Sequence, residues 1–310
     1  MYFRTTSQTD VLPLIMLLVL ACAISACQPD QVEQNKKRQA NAELAPSPTT
    51  VKEFIFGFDL RTSPKKDARQ YQSLLRYLSE KTGYSFTMTF TPLDIPLAEA
   101  IERGNIDLAA IGAVSYLKAS QKLPGVIPLV KGINSNGEAR YRSFIVVKPD
   151  SPLESITDLV GARLAFGNRD STQGHLIPRI LMANAGIKLE QLASYGYTGS
   201  HQNCATAVIK NNYDACGMQD SLALELAEQN LVRILTRSAY FPSSGIIASP
   251  SVPAEARTKI QQALIDLEPN EKDKSRLYQW ETTEMPNGFT RAQPGDYDEL
   301  KRWLLQLDLL

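Results

Sequence analysis

The stretch Asp170-Ser171-Thr172-Gln173-Gly174-His175 sets two hydroxyls, an amide and a glycine between an expected strand and an expected helix. Hydroxyls at a helix N-terminus stand beside backbone N–H groups that have no carbonyl to meet, at the positive end of the helix dipole. That combination holds oxyanions. Gly174 lets the backbone come close to a ligand. Taken alone, the same residues also describe a plain Ser/Thr cap. The pattern repeats at Thr198-Gly199-Ser200-His201. There His201 donates a hydrogen bond to an anion and adds charge when protonated, or simply caps its helix. Gly112-Ala113-Val114-Ser115-Tyr116 is a third strand-to-helix turn, which either presents N–H groups from an opposite wall or is only a tight turn. Tyr141 opens a later strand, with its hydroxyl in reach of a cleft or its ring in packing.

Other chemistries find no support. There is no GxSxG elbow, no P-loop, no GxGxxG after a strand and no HExxH. The chain has only two histidines and no Cys/His spacing suited to a metal, so neither metal nor cofactor is expected. Lys+Arg and Asp+Glu both number 33, and this zero net charge argues against a nucleic-acid partner, which needs a basic face. Anion binding here must therefore come from local geometry.

Two sets of alternating strands and helices position these turns. In the first, Glu53–Phe58 reads as a strand with Phe54, Phe56 and Phe58 on one face. Residues 67–82 follow as a helix with Tyr71, Leu74, Leu75 and Leu78 along one stripe. Strands at 85–90, 106–111, 125–130 and 142–147 and helices at 97–103 and 114–121 complete that set. The second set runs from 156 to 235, with strands at 163–166, 194–197, 215–218 and 232–235 and helices at 176–185, 201–211 and 221–229. Alternation of this kind over about 250 residues predicts an α/β architecture with parallel sheets. The two sets join near 141–150 and again near 236–245. They predict one lobe from 51–145 plus 240–310 and a second from 146–239, crossed twice by the chain. Ligands of open α/β sheets bind beyond the carboxyl ends of the strands, which here would face one another across a cleft.

The N-terminus carries a separate signal. The apolar run 11–21, interrupted by Pro13, is short for a bilayer span and ends in small residues, as a signal peptide does. Ile24-Ser25-Ala26-Cys27 resembles a lipobox, which makes 1–26 a lipoprotein signal peptide and Cys27 the lipid-bearing residue; an ordinary cleaved signal is the alternative. Residues 27–50 are polar, contain Pro46 and Pro48, and read as a flexible tether. Export permits a disulfide between Cys204 and Cys216, though two small buried thiols fit equally well.

Taken in order, several segments resemble the periplasmic phosphate/phosphite/phosphonate-binding proteins of ABC transporters. They are Gly104 through Gly112, Tyr141-Arg142-Ser143 with Asp150-Ser151-Pro152, Asp158-Leu159-Val160-Gly161, Ser171 through Pro178, and His201 through Val208 followed by Asp214-Ala215. The resemblance covers roughly residues 53–270. It implies a two-lobed type II periplasmic-binding-protein-like fold with two crossover hinge strands. It implies that Tyr141, Ser171, Thr172 and His201 hold the phosphorus oxygens, with Gly174 setting the loop. Gln173 departs from the family's usual serine. The family's aminophosphonate binders hold the ligand amine with acids at positions that fall on Asp220-Ser221 and Ser243-Ser244 here. With Asp220 retained and Ser244 neutral, phosphate, phosphite or a simple phosphonate is the expected ligand. The implied protein is exported, a monomer, held to a membrane by its N-terminal lipid at the periplasmic or cell-surface side, and delivers its ligand to an ABC permease. A sensory lipoprotein that signals to a membrane receptor or kinase would look the same. An enzyme on this fold would have only His201 or Asp220 to work with.

Overall fold

The structure is a computed structural model that describes residues 52–61, 63–90 and 95–310. The signal segment 1–26, Cys27 and the tether 27–50 lie outside the described residues.

The chain opens with β1 (Glu53–Phe58), α1 (Pro64–Thr82), β2 (Ser85–Met88), α2 (Leu97–Glu102), β3 (Leu108–Ile111), α3 (Ala113–Lys122) and β4 (Ile127–Gly132). Ser63 caps α1 by accepting from the Lys66 N–H, Pro64 sits in its first turn, and Gly83 ends it at φ 73°. The chain then passes through the two-residue β5 (Arg140–Tyr141) into β6 (Ser143–Val147), β7 (Arg163–Phe166), α4 (Ile177–Asn184), β8 (Ser194–Tyr197), α5 (His201–Ile209), β9 (Ala215–Gln219), α6 (Asp220–Glu228) and β10 (Arg233–Arg237). It returns through β11 (Phe241–Pro242) to β12 (Gly245–Ala248), α7 (Ala254–Ile265), β13 (Phe289–Arg291) and α8 (Asp298–Gln306).

Two sheets result. The first has the order β13-β4-β12-β3-β1-β2, and the second β10-β6-β9-β7-β8. In each, the strands beside the candidate turns are parallel: β1 with β2 and β3, and β7 with β8 and β9. The remaining pairings, β12 with β3 and β4, β13 with β4, β6 with β9 and β10 with β6, are antiparallel. The expected parallel sheets are therefore mixed sheets. Between them the chain crosses twice, and at the crossings β5 and β11 pair antiparallel, Tyr141 opposite Phe241.

The alternating phenylalanines of β1 are buried with Tyr71, Leu74 and Leu78 of α1, as their periodicity requires. Trp280, from the C-terminal stretch, joins the same core and donates its indole N–H to the Met285 carbonyl at 2.8 Å. Through β13 that stretch adds the outer strand of the first sheet. Cys204 of α5 and Cys216 of β9 in the second sheet are joined, with Cα atoms 5.8 Å apart. Among the described residues no helix is long and apolar enough to cross a membrane.

The largest local departure from expectation is at 172–176. The helix foreseen from Leu176 begins with a π-helical turn, Thr172–Leu176, before α4 continues it. Widened turns of this type are frequent at functional sites.

Candidate functional site

The π-helical turn lies between β7 and α4. The Ser171 carbonyl accepts from both His175 N and Leu176 N at 3.1 Å, while its hydroxyl accepts from Gly174 N at 2.8 Å. That leaves the Ser171 O–H free to donate. Gly174 is packed so closely that an added Cβ would stand 2.9 Å from Ser171 Oγ, 3.0 Å from His201 Cε1 and 3.2 Å from Gly167 Cα. It shapes the turn from behind and does not itself line a cavity. The buried Thr172 hydroxyl accepts from Val114 N at 3.1 Å and also keeps its proton for donation. The Gly112 N–H is taken by Asp59 Oδ2 at 3.1 Å. The third turn therefore spends these two N–H groups within the protein instead of presenting them to a ligand.

His201 opens α5 and is buried. Its Nδ1 accepts from Gln219 N at 3.3 Å, which puts the ring proton on Nε2. Burial, reinforced by Arg61, lowers its pKa to about 3. Of the two ways His201 could meet an anion, burial favours the neutral donor over the charged imidazolium, because it removes the water a cation needs. His175 sits behind the turn, with Nδ1 bonded to the Arg169 carbonyl at 2.7 Å and Nε2 meeting the Tyr197 hydroxyl at 3.2 Å. Burial lowers its pKa to about 4. The folded protein will accordingly show no histidine titration between pH 5 and 8 by NMR, although both rings titrate near 6.5 once unfolded. The unfolded state then takes up more protons than the native one below pH 6.5, and the two rings cost the fold stability as pH falls from there toward 4.

Ser171, Thr172 and His201 line one small cavity with Asp59, Arg61 and Gly112. It offers about 40 Å³ of room for water centres, which suits a few waters or one small tetrahedral ion. A larger cavity, with about 580 Å³ of such room, is lined by Tyr141, Gln173, Gln219, Asp220, Glu284 and again Arg61. Gln173 Nε2 donates to the Arg142 carbonyl at 2.9 Å and reaches Asp220 Oδ1 at 3.3 Å. Gln173 therefore ties its turn to the crossing strand. Asp220 also accepts from Arg142 N at 3.2 Å, and burial raises its pKa. Ser244 is buried beside Tyr141 and lines neither cavity.

Sequence reasoning missed Arg61, three residues beyond β1. Its Nη1 pairs with Glu284 Oε1 at 3.3 Å, and the two side chains are only 15% and 9% exposed. Burial opposes its charge, but Glu284 and Asp59 outweigh that and its pKa lies above the ordinary value. Arg61 Nε and Nη2 are buried without partners among the described residues, as are Tyr141 Oη, Gln219 Oε1 and Glu284 Oε2. Buried polar atoms are rarely left unsatisfied. All five belong to residues lining the larger cavity, and Arg61 reaches the smaller one too. Tyr141 has the hydroxyls of Thr172 and Ser244 as neighbours, and burial raises its pKa despite them.

No group of three or more His, Cys, Asp or Glu among the described residues is arranged to hold a metal ion. What the arrangement offers is a volume the size of a small oxyanion, lined by several hydrogen-bond donors and one carboxylate, Asp59.

The family model for the ABC transporter phosphonate periplasmic substrate-binding proteins matches residues 56–297. The chain belongs to this family. The phosphonates-binding periplasmic protein of Escherichia coli K12 is 23% identical over 232 residues, 72% of this chain and 68% of its own length. The phosphate-import protein PhnD of Mycolicibacterium smegmatis is 24% identical over 183 residues, 55% of this chain and 57% of its own. Among solved structures, PhnD1 of Prochlorococcus marinus MIT 9301 in complex with methylphosphonate superposes with a TM-score of 0.74 at 15% identity, covering 84% of this chain and 99% of that one. The type II periplasmic-binding-protein fold implied by the sequence is thus the fold observed. The family is one of periplasmic substrate-binding proteins for transport and not an enzyme family.

Proposed function

We propose that the protein captures a small phosphorus oxyanion, phosphate, phosphite or a simple phosphonate, between its two sheets and delivers it to an ABC permease. The supporting observation is the small cavity that the Ser171 and Thr172 hydroxyls and His201 share with Arg61, whose buried Nε and Nη2 have no partner among the described residues. In this reading the Ser171 and Thr172 hydroxyls, the first N–H groups of the turn and His201 Nε2 grip the phosphorus oxygens, and Arg61 supplies the charge. Tyr141 closes the site from the crossing strand. Gln173, Gly174, Asp220 and Ser244 support it by holding the turn and the crossing in place. Residues 51–145 with 240–310 form one lobe and 146–239 the other, and they close about β5 and β11 when the ligand binds. The protein works as a monomer, tethered by a lipid on Cys27.

A thermal-shift screen of the ligand-free domain against phosphate, phosphite, methylphosphonate, aminoethylphosphonate, sulfate and amino acids tests this. At 100 times its dissociation constant, a ligand of the native state adds about 2.7 kcal/mol of stability, a rise of roughly 5–10 °C. A phosphorus oxyanion should give that shift. Ser171→Ala with Thr172→Ala should weaken it by about 100-fold in affinity, from two hydrogen bonds to a charged ligand at about 1.5 kcal/mol each. A shift with amino acids and none with any phosphorus oxyanion would reject the proposal.

A further inference from the structure

We infer that Asp59 makes the site select oxyanions that carry a proton, by accepting a hydrogen bond from a P–OH group in the small cavity. This rests on the reading of that cavity as the anion site. Asp59 follows directly on β1 and lines the cavity with Arg61, Ser171, Thr172 and His201. One carboxylate oxygen is fully engaged, since Oδ2 accepts from Gly112 N and from Ser115 Oγ, each at 3.1 Å. These two bonds fix the orientation of the group. Oδ1 has no hydrogen-bond partner among the described residues and is left for the cavity that Asp59 lines.

Every other side chain assigned to the grip is a donor: the Arg61 N–H groups, the two hydroxyls and His201 Nε2. A lone acceptor in that company meets a fully deprotonated oxyanion lone pair to lone pair, with charges of like sign. The charge balance sharpens this. One guanidinium, Arg61, serves two carboxylates, Glu284 by direct contact and Asp59 through space. Nearby, Asp170 is already matched by Lys118 at 2.7 Å, and His201 is neutral. The charge of Arg61 is therefore shared with two carboxylates and only in part left for a ligand. A proton shared between Asp59 Oδ1 and a ligand oxygen turns the repulsion into a hydrogen bond. Burial, acting against Arg61, raises the proton affinity of Asp59 and makes it the stronger acceptor. Phosphate and alkylphosphonates bring such a proton near neutral pH, and phosphite does so in its monoanion, whereas sulfate and sulfonates do not. Sites that hydrogen-bond a ligand's O–H reject the analogue lacking it far more strongly than apolar pockets reject a change of shape, because their own polar groups are left unpaired.

The test is calorimetric titration near neutral pH of the wild-type domain and Asp59→Asn with methylphosphonate, phosphite, sulfate and methanesulfonate. The wild type should prefer phosphorus over sulfur oxyanions by at least about 100-fold. Asp59→Asn, which puts an amide where the acceptor stood, should cut that ratio at least tenfold and improve sulfate or methanesulfonate binding. An unchanged ratio with methylphosphonate still bound would overturn the inference and leave Asp59 as a brace for the Gly112 turn. A purely bracing role would weaken all four anions alike. Should the variant fail to fold, the wild type alone decides. Methylphosphonate should bind at least about 100-fold tighter than its O-methyl ester, which keeps a negative charge but has no P–OH. Equal binding of ester and acid would overturn the inference while leaving the anion site intact. A folded wild type that binds none of these anions would instead reject the proposed function, and this inference with it.

Discussion

Arg61→Met will weaken binding of the proposed phosphorus oxyanion by about 30- to 1,000-fold, corresponding to about 2–4 kcal/mol for removing one partner of a buried, hydrogen-bonded charge pair. The loss follows from Nε and Nη2, which find no protein acceptor among the described residues, and from the place of Arg61 in the wall of both cavities. Lysine is no conservative replacement, because a single ammonium cannot hold Glu284 and present two parallel N–H groups to a ligand. Stability falls as well. Glu284, 9% exposed, would keep a buried carboxylate without its cation, a loss of about 3 kcal/mol in urea unfolding. Arg61→Met/Glu284→Gln separates the two effects, since it should recover most of the stability and none of the affinity. A single variant that binds phosphate or phosphonate as the wild type does would remove Arg61 from the site.

The second large effect concerns the disulfide. Cys204→Ser with Cys216→Ser should lower stability by about 3 kcal/mol, or roughly 6–10 °C in melting temperature, as opening a loop of this size does. The bond joins the first turns of α5, which carries His201, to β9, whose end supplies the Gln219 N–H that fixes the His201 tautomer. Its loss should therefore also weaken ligand binding, measurably at a temperature where both forms remain folded. Unchanged affinity in a folded double variant would show that sheet pairing alone holds His201 in register.

The sequence disclosed the features that repeat at short range. The phenylalanines of β1, the stripe of α1 and the succession of strands each leave a local periodic mark, and the hydroxyl-rich turns stand at chain positions where helix N-termini can be read directly. What stayed hidden depends on contacts far along the chain. Arg61 looks like an ordinary solvated residue before a helix cap, and the partner that buries it is 223 positions away. Asp59 acquires its meaning only when Gly112 and Ser115 come round to hold it. The antiparallel members of each sheet were illegible because strand direction is set by the crossings, not by residue type. The neutrality of His201 was illegible too, because the same residue on an exposed helix end would carry a proton part of the time.

That neutrality has a bearing on where such a protein lives. The space outside a cytoplasmic membrane takes on the acidity of the surroundings, and a grip that depended on imidazolium would tighten and slacken with every change in the medium. A ring that keeps one proton on Nε2 down to about pH 3 offers the same hydrogen bond in neutral water and in acid. In the proposed site, the hold of His201 on its ligand would thus be insulated from the weather outside the cell.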